Sequence, residues 1–309
     1  MFGLRYHVAS LAAVFVALAV GILLGVAVSG KVTDAGEAAE LQNLQDRNER
    51  LQQDLDAAQA AAEAATQQGE GSEELFARAY PALMENRLDG KDVAVLFLGP
   101  ADGSLRSEVE RSLADADGGA PARVVALDVP VDDTDLAAAL EGDEVLAAYA
   151  DDGGDFSDLG RELGRELVEG GDTPLWAALS TRLVEERSGS SSLPVDATVV
   201  VTTWTPPDEA NGDEEAAAQT EATSSLLEGL VRGLDGVGVP VVGVAAGDDP
   251  PEIIELYRDQ GISSVDDIDV PAGRLALALL LAGAEPGHYG LGDGASDGVV
   301  PPIEPLTIE

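Results

Sequence analysis

The chain has 309 residues, with 58 Asp or Glu against 17 Lys or Arg, a formal net charge of -41 and no cysteine. Lysine occurs only at Lys31 and Lys91, so there are no clustered cations to neutralise phosphates, which excludes nucleic-acid binding; without cysteine there is no disulfide, thiolate metal site or thiol nucleophile. The 45% apolar fraction is that of a chain that buries a core, so the acidity belongs to a folded surface, as salt adaptation or genome composition would also produce.

In chain order, the first feature is Val8–Val28, VASLAAVFVALAVGILLGVAV, an uncharged run of about twenty residues, the length a helix needs to cross a bilayer. It predicts a single transmembrane helix, with residues 1–30 as an N-terminal membrane anchor. A cleaved signal peptide is the competing reading, since Arg5 precedes the run and Ala27-Val28-Ser29 could be a cleavage site, but the run exceeds the usual length of such a segment. Arg5 before the span and only Lys31 close behind it place the N-terminus inside. The expected location is the cytoplasmic membrane, single pass, with the bulk of the chain extracytoplasmic. Ala9, Ala13, Ala17, Gly21, Gly25 and Ser29 recur every fourth residue, a small-residue face that favours close helix pairing.

Leu41, Leu44, Asn48, Leu51, Leu55, Ala58, Ala62 and Ala65 alternate at three and four residues, a heptad seam that predicts a coiled coil over residues 34–68. Asn48 falls at an a position, where a buried amide selects a parallel two-stranded register. The oligomerisation residues are therefore Ala13, Ala17, Gly21, Gly25, Leu41, Leu44, Asn48, Leu51 and Leu55. The partner is a second copy in a parallel homodimer or a heteromeric coiled-coil membrane protein. An amphipathic helix folded against the downstream domain is the other reading of the seam.

Residues 72–285 read as an α/β domain. After an apolar helix from Ser72 to Leu88, interrupted by Pro81, come the continuous runs Val93–Leu98, Arg123–Val129, Ala197–Trp204 and Val239–Ala245. Runs without alternation predict strands covered on both faces, hence a Rossmann-like parallel sheet. Leu105, Val109 and Leu113 mark a helix between the first two strands; Phe156, Leu159, Leu163 and Leu167 mark another; Leu226, Leu227, Leu230, Val231 and Leu234 mark the one before the last strand. Val145–Ala150 could be a fifth strand or the end of a helix. Leu275–Ala284 is too short to span a bilayer and predicts a buried helix begun at Pro271. The Gly-, Pro- and Asp-rich residues 286–309 are expected to form a flexible tail.

Catalytic and ligand signals are sparse. After the first strand, Gly99-Pro100-Ala101-Asp102-Gly103-Ser104 lacks a phosphate-loop pattern, Asp102 would repel a phosphate, and Ser104 is the expected helix cap. Asp128, Asp248, Asp249, Asp266, Asp267 and Asp269 lie near strand ends or turns and could hold a hard cation, or simply form a solvated acidic rim. His7 and His288 lie in no hydrolase-like context, so no catalytic constellation is visible and the chain is not expected to be an enzyme.

Leu4–Gly25 (LRYHVASLAAVFVALAVGILLG), the coiled coil, the layered domain and Gly261–Gly283 (GISSVDDIDVPAGRLALALLLAG), followed by Gly287-His288-Tyr289-Gly290, together resemble the actinobacterial copper transport protein B (MctB) family. The resemblance implies an envelope protein that keeps intracellular copper low, by efflux, with copper as a possible ligand and no certain cofactor. It also implies an alternative, an envelope assembly or division scaffold with no direct copper role. The residues bear on that choice: Cu(I) prefers sulfur, and only Met1 and Met84 supply it, so the chain alone is a poor copper conduit. The combined expectation is a membrane-anchored, non-enzymatic, oligomeric component of an envelope complex. A Rossmann-type ligand-binding domain or enzyme is a third reading.

Overall fold

The computed structural model describes residues 14–22, 36–142, 144–150, 155–207, 214–292 and 294–303. The chain divides into two compact units, Met1–Glu73 and Glu74–Glu309. In the first, helix is described over 14–22, and helix α1, Gly36–Met84, begins. This 49-residue helix runs through Gly69, Gly71 and Pro81, so the predicted coiled-coil segment and the helix from Ser72 are one element. A mid-helix glycine costs only about 1 kcal/mol, which α1 absorbs without breaking.

The expectation of a membrane-spanning anchor is corrected here. Among the described residues no helix is long and apolar enough to cross a membrane. Within Val8–Val28 the described residues are 14–22, and these are helical. The remainder of that run, with Ala13 and Gly25, lies outside the described residues. Helix α1 has the length, but charged residues recur along it, including Glu37, Glu40, Asp46, Arg47, Glu49, Arg50, Asp54, Asp56 and Glu63. The single-pass location and the membrane-anchored function rested on that span and fall with it.

The second unit is built on a seven-stranded sheet in the order β3-β2-β1-β4-β5-β6-β7. Its strands are β1 (Val93–Leu98), β2 (Arg123–Leu127), β3 (Val184–Gly189), β4 (Ala197–Thr202), β5 (Val241–Val244), β6 (Ser263–Val265) and β7 (His288–Tyr289). The sheet is mixed rather than wholly parallel, because β3 pairs antiparallel with β2 while the other neighbours are parallel. The helices are α2 (Gly103–Asp115), α3 (Asp133–Gly142), α4 (Ser157–Glu169), α5 (Pro174–Leu183), α6 (Glu214–Asp235), α7 (Glu252–Asp259) and α8 (Pro271–Leu281). Val145–Ala150 is neither strand nor α-helix; it holds turns and the short 3-10 segment Ala147–Tyr149.

Every residue of β1, β2, β4 and β5 is buried, which follows from helices covering both faces. Ala94, Leu96 and Leu98 point into a core with α4, α5, α6 and α7, where Trp176 is buried. Val93, Val95 and Phe97 point into the opposite core with α2 and α8, where Met84 from the end of α1 is also buried. Each fully buried leucine or phenylalanine contributes roughly 2 kcal/mol by leaving water. Arg274, on the otherwise apolar α8, is nearly buried and pairs with Glu108 of α2 at 2.7 Å. Its own carbonyl accepts from Ser112 at 2.9 Å, so α2 and α8 are tied by polar as well as apolar contacts.

Helices α4 and α6 lie parallel in backbone contact. A Cβ on Gly160 or Gly164 would overlap the carbonyl of Leu226 or Leu230, and a Cβ on Gly229 or Gly233 would overlap that of Ser157 or Arg161. Both helices thus carry a Gly-x-x-x-Gly stripe turned to the other, which brings their axes closer than side chains would allow. Gly233→Ala is expected to cost about 3 kcal/mol in urea-unfolding stability, at the upper end for overpacking, because the obstruction is backbone rather than a movable side chain.

Candidate functional site

Two regions carry the residues singled out in the sequence. The first is the α1 seam. Leu41 and Leu44 lie within α1, Asn48 is exposed, and Leu51 and Leu55 are 67% and 58% exposed. Large apolar side chains so open to water have no internal packing to account for them. The same heptad stripe continues to Phe76 and Leu83, which are partly buried against the core beneath α2 and α8. The stripe is thus packed internally at its end, whereas Leu51 and Leu55 stay exposed. Ala17 and Gly21, in the helix over 14–22, are also exposed, and nothing lies within 4 Å of a Cβ built on Gly21.

The second region is the rim formed by the carboxyl ends of the strands, where open α/β sheets bind ligands. At the switch between β1 and β4 the crevice is filled by the protein. Thr203 Oγ1 donates to the Pro100 carbonyl at 2.8 Å, and the Thr203 and Trp204 amides both donate to the Leu98 carbonyl. Gly99, at φ 132°, approaches Thr203 too closely for any side chain. Asp102, not Ser104, caps α2: its Oδ1 accepts from the amides of Ser104 and Leu105, both at 2.8 Å. The amides that would meet a phosphate are already bonded to a carboxylate.

The open chamber lies further along the rim, between β5 and β6. It has a volume of 330 Å³, and its walls include Ala245, Ala246 and Ile254 as well as Asp249, Asp266 and Asp267. Of the six aspartates named from sequence, Asp249, Asp266, Asp267 and Asp269 gather here. Asp128 lies away at the end of β2, its amide bonded to the Leu183 carbonyl, and Asp248 is exposed on the neighbouring turn. The Asp249 carboxylate accepts from the Ala246 amide at 2.6 Å, Asp269 from the Gly247 amide at 3.0 Å and Asp267 from the Leu291 amide at 3.1 Å.

Asp266 differs from these. It is only 7% exposed, and its Oδ1 has no hydrogen-bond partner. Gly290 packs so closely on it that a Cβ there would overlap Oδ1, and a Cβ on Gly292 would lie 2.8 Å from Oδ2. Burial, and then a hydrogen bond shared with Asp267, push the Asp266 carboxyl up to about 6. Its burial depends on residues 24 and more positions away, which is why the sequence named this aspartate without distinguishing it. The available signal was the glycine run from Gly287 to Gly294, since glycines let backbone approach a carboxylate.

His288 is used structurally: its Nδ1 is 2.9 Å from the Ser264 hydroxyl, and burial lowers its pKa. Ser264 is fully buried, so this serine–histidine pair has no access to a substrate. Among the described residues there is no group of three or more His, Cys, Asp or Glu that could hold a metal ion. A second hollow of 470 Å³, between α3, α4 and α6, is lined by Asp133, Asp155, Glu221, Glu228 and Arg232. Its single cation is paired with Glu228 at 2.8 Å.

Comparison with known proteins follows the same sequence features. A family model described as "Copper transport outer membrane protein, MctB" matches residues 1–301. The chain belongs to the MctB family. Proteins named "Copper transporter MctB" from Mycobacterium bovis and from two strains of Mycobacterium tuberculosis are each 26% identical to it over 326 aligned positions, covering 96% of this chain and 98% of the relative. Membership is consistent with a non-enzymatic, copper-related role.

The raised Asp266 carboxyl makes stability depend on pH in a defined direction. The folded state holds this proton more tightly than the unfolded state, whose carboxyl titrates near 3.8, so its contribution is complete below about pH 4 and is lost as pH rises through about 6. Asp267, from the same turn, and Asp249, from the β5 loop, line the chamber with it. Asp266→Asn, which removes the buried charge, is expected to raise Tm by about 3 °C at neutral pH. Thermal unfolding of both proteins across pH should show that difference shrink towards zero near pH 4.

Proposed function

We propose that this chain acts without catalysis in copper homeostasis, and that it does so as a pair held along α1. The observation that carries the reading is the exposure of Leu51 and Leu55 in heptad register with Leu41, Leu44 and Asn48. Burying such a seam against a second helix offsets the cost of leaving it in water, and Asn48 favours a parallel two-stranded arrangement. Membership of a family whose name refers to copper transport supports the copper part of the reading.

The donor inventory shapes how copper would be handled. The whole chain has two methionines, two histidines and no cysteine, and Met84 is buried in a core. Cu(I) favours sulfur, so the reading places the soft ligands on a partner assembled through α1 rather than on this chain. Efflux is then a property of the assembly.

Leu44→Glu combined with Leu51→Glu is expected to convert the pair to a monomer in sedimentation velocity, while the Glu74–Glu309 unit keeps its circular-dichroism melting curve. In a deletion strain under copper load, the intact gene should lower cell-associated copper and the double variant should not. Unchanged oligomer mass in the variant would overturn the pairing. Unchanged copper on deletion, with envelope integrity lost, would leave a scaffold with no copper role.

A further inference from the structure

We infer that residues 290–292 form a pH-gated latch at the end of β6, held shut by a proton shared between Asp266 and Asp267 and released when that proton is lost. The two carboxylates are wedged between glycines of two segments. A Cβ on Gly290 would overlap Asp266 Oδ1, one on Gly292 would lie 2.8 Å from Asp266 Oδ2 and 3.5 Å from Asp267 Oδ2, and one on Gly247 would overlap Asp267 Oδ1. The side chains thus fill the space between the β5 loop and the latch, and two like charges there have little room to separate. The Leu291 amide donates to Asp267 Oδ2 at 3.1 Å. Leu291 itself is 59% exposed, so polar contacts rather than apolar burial hold the segment.

Asp266 sets the direction of the response. It is 7% exposed, sealed against Gly290, and its Oδ1 has no donor, an arrangement that a neutral carboxyl tolerates far better than a carboxylate. The cations of the flanking helices are engaged elsewhere: Arg258 of α7 with the Gly294 carbonyl, and Arg274 of α8 with Glu108 and the Asp269 carbonyl. Asp249 and Asp269 add negative charge while capping the amides of Ala246 and Gly247. On either side of the segment, His288 bonds Ser264 and Asp297 accepts from the His288 amide. Burial and the hydrogen bond to Asp267 push the Asp266 carboxyl up to about 6, whereas release of the segment returns it towards 3.8. Closure is therefore fully favoured below about pH 4 and is lost as pH rises through about 6. His288 acts in the opposite sense, because burial lowers its pKa and the closed segment favours its neutral form. Gly292 also lines the 330 Å³ chamber, so release removes part of that chamber's wall.

The test is hydrogen exchange of the full-length protein, read on peptides covering residues 288–292 and corrected for the intrinsic rate at each pH. Protection there should fall about tenfold from pH 5 to pH 7.5, the change produced by a carboxyl that titrates at about 6 when closed and 3.8 when open, while peptides of β1 and β4 keep theirs. Asp266→Asn, which fixes the neutral shape, should remove the pH dependence and leave protection at pH 7.5 at or above that of the native chain. Asp267→Asn keeps an acceptor for the Leu291 amide and removes the neighbouring charge, so it should reduce the dependence without abolishing protection. Glu221→Gln in the other hollow should leave the tenfold change as it is. Protection that is the same at both pH values, or that rises with pH as His288 alone would dictate, would overturn the latch, as would a native pH response in Asp266→Asn. An equal loss of protection in β1 and β4 would overturn it in favour of unfolding of the whole unit.

Discussion

A parallel strand has no face to spare for water, and most of this unit follows from that. The strands β1, β2, β4 and β5 are apolar on both sides and must be roofed and floored by helices. Helices α3 to α7 cover one side; α2, α8 and the end of α1 cover the other. Once both faces are closed, the loops at the carboxyl ends of the strands are the natural place for chemistry. One stretch of that rim is closed by Thr203, Asp102 and Glu185, which bond the backbone that a phosphate would otherwise meet. The other, between β5 and β6, stays open. The position of the chamber is thus a result of what the protein's own groups already occupy.

The central strands were legible because burial on both faces leaves an unbroken apolar run. The edges were not. The β3 residues, VEERSG, are mostly exposed and read as polar loop, and β6 and β7 have three and two residues. The antiparallel edge, and with it the mixed character of the sheet, therefore escaped a reading based on apolarity. At the rim, the aspartates could be named from their place after strand ends. Which of them would be buried depended on Gly290 and Gly292 folding back from the far side of α8, and spacing along the chain does not encode that contact.

The two regions divide function between them. Helix α1 offers exposed leucines in heptad register and no chemistry of its own. The second unit offers a carboxylate-lined chamber and no exposed seam. The sulfur that Cu(I) favours is confined to Met1 and Met84, and Met84 is buried in a core.

The glycine stripes of α4 and α6 also bear on how this layer comes to exist. Each helix carries two glycines, which lowers its persistence as an isolated helix, and each relies on the other's backbone to offset that loss. Their partnership spans some seventy residues of chain, so neither can be completed early and locally. Winding and docking become a single event, and the layer gains or loses its order as one cooperative block rather than helix by helix.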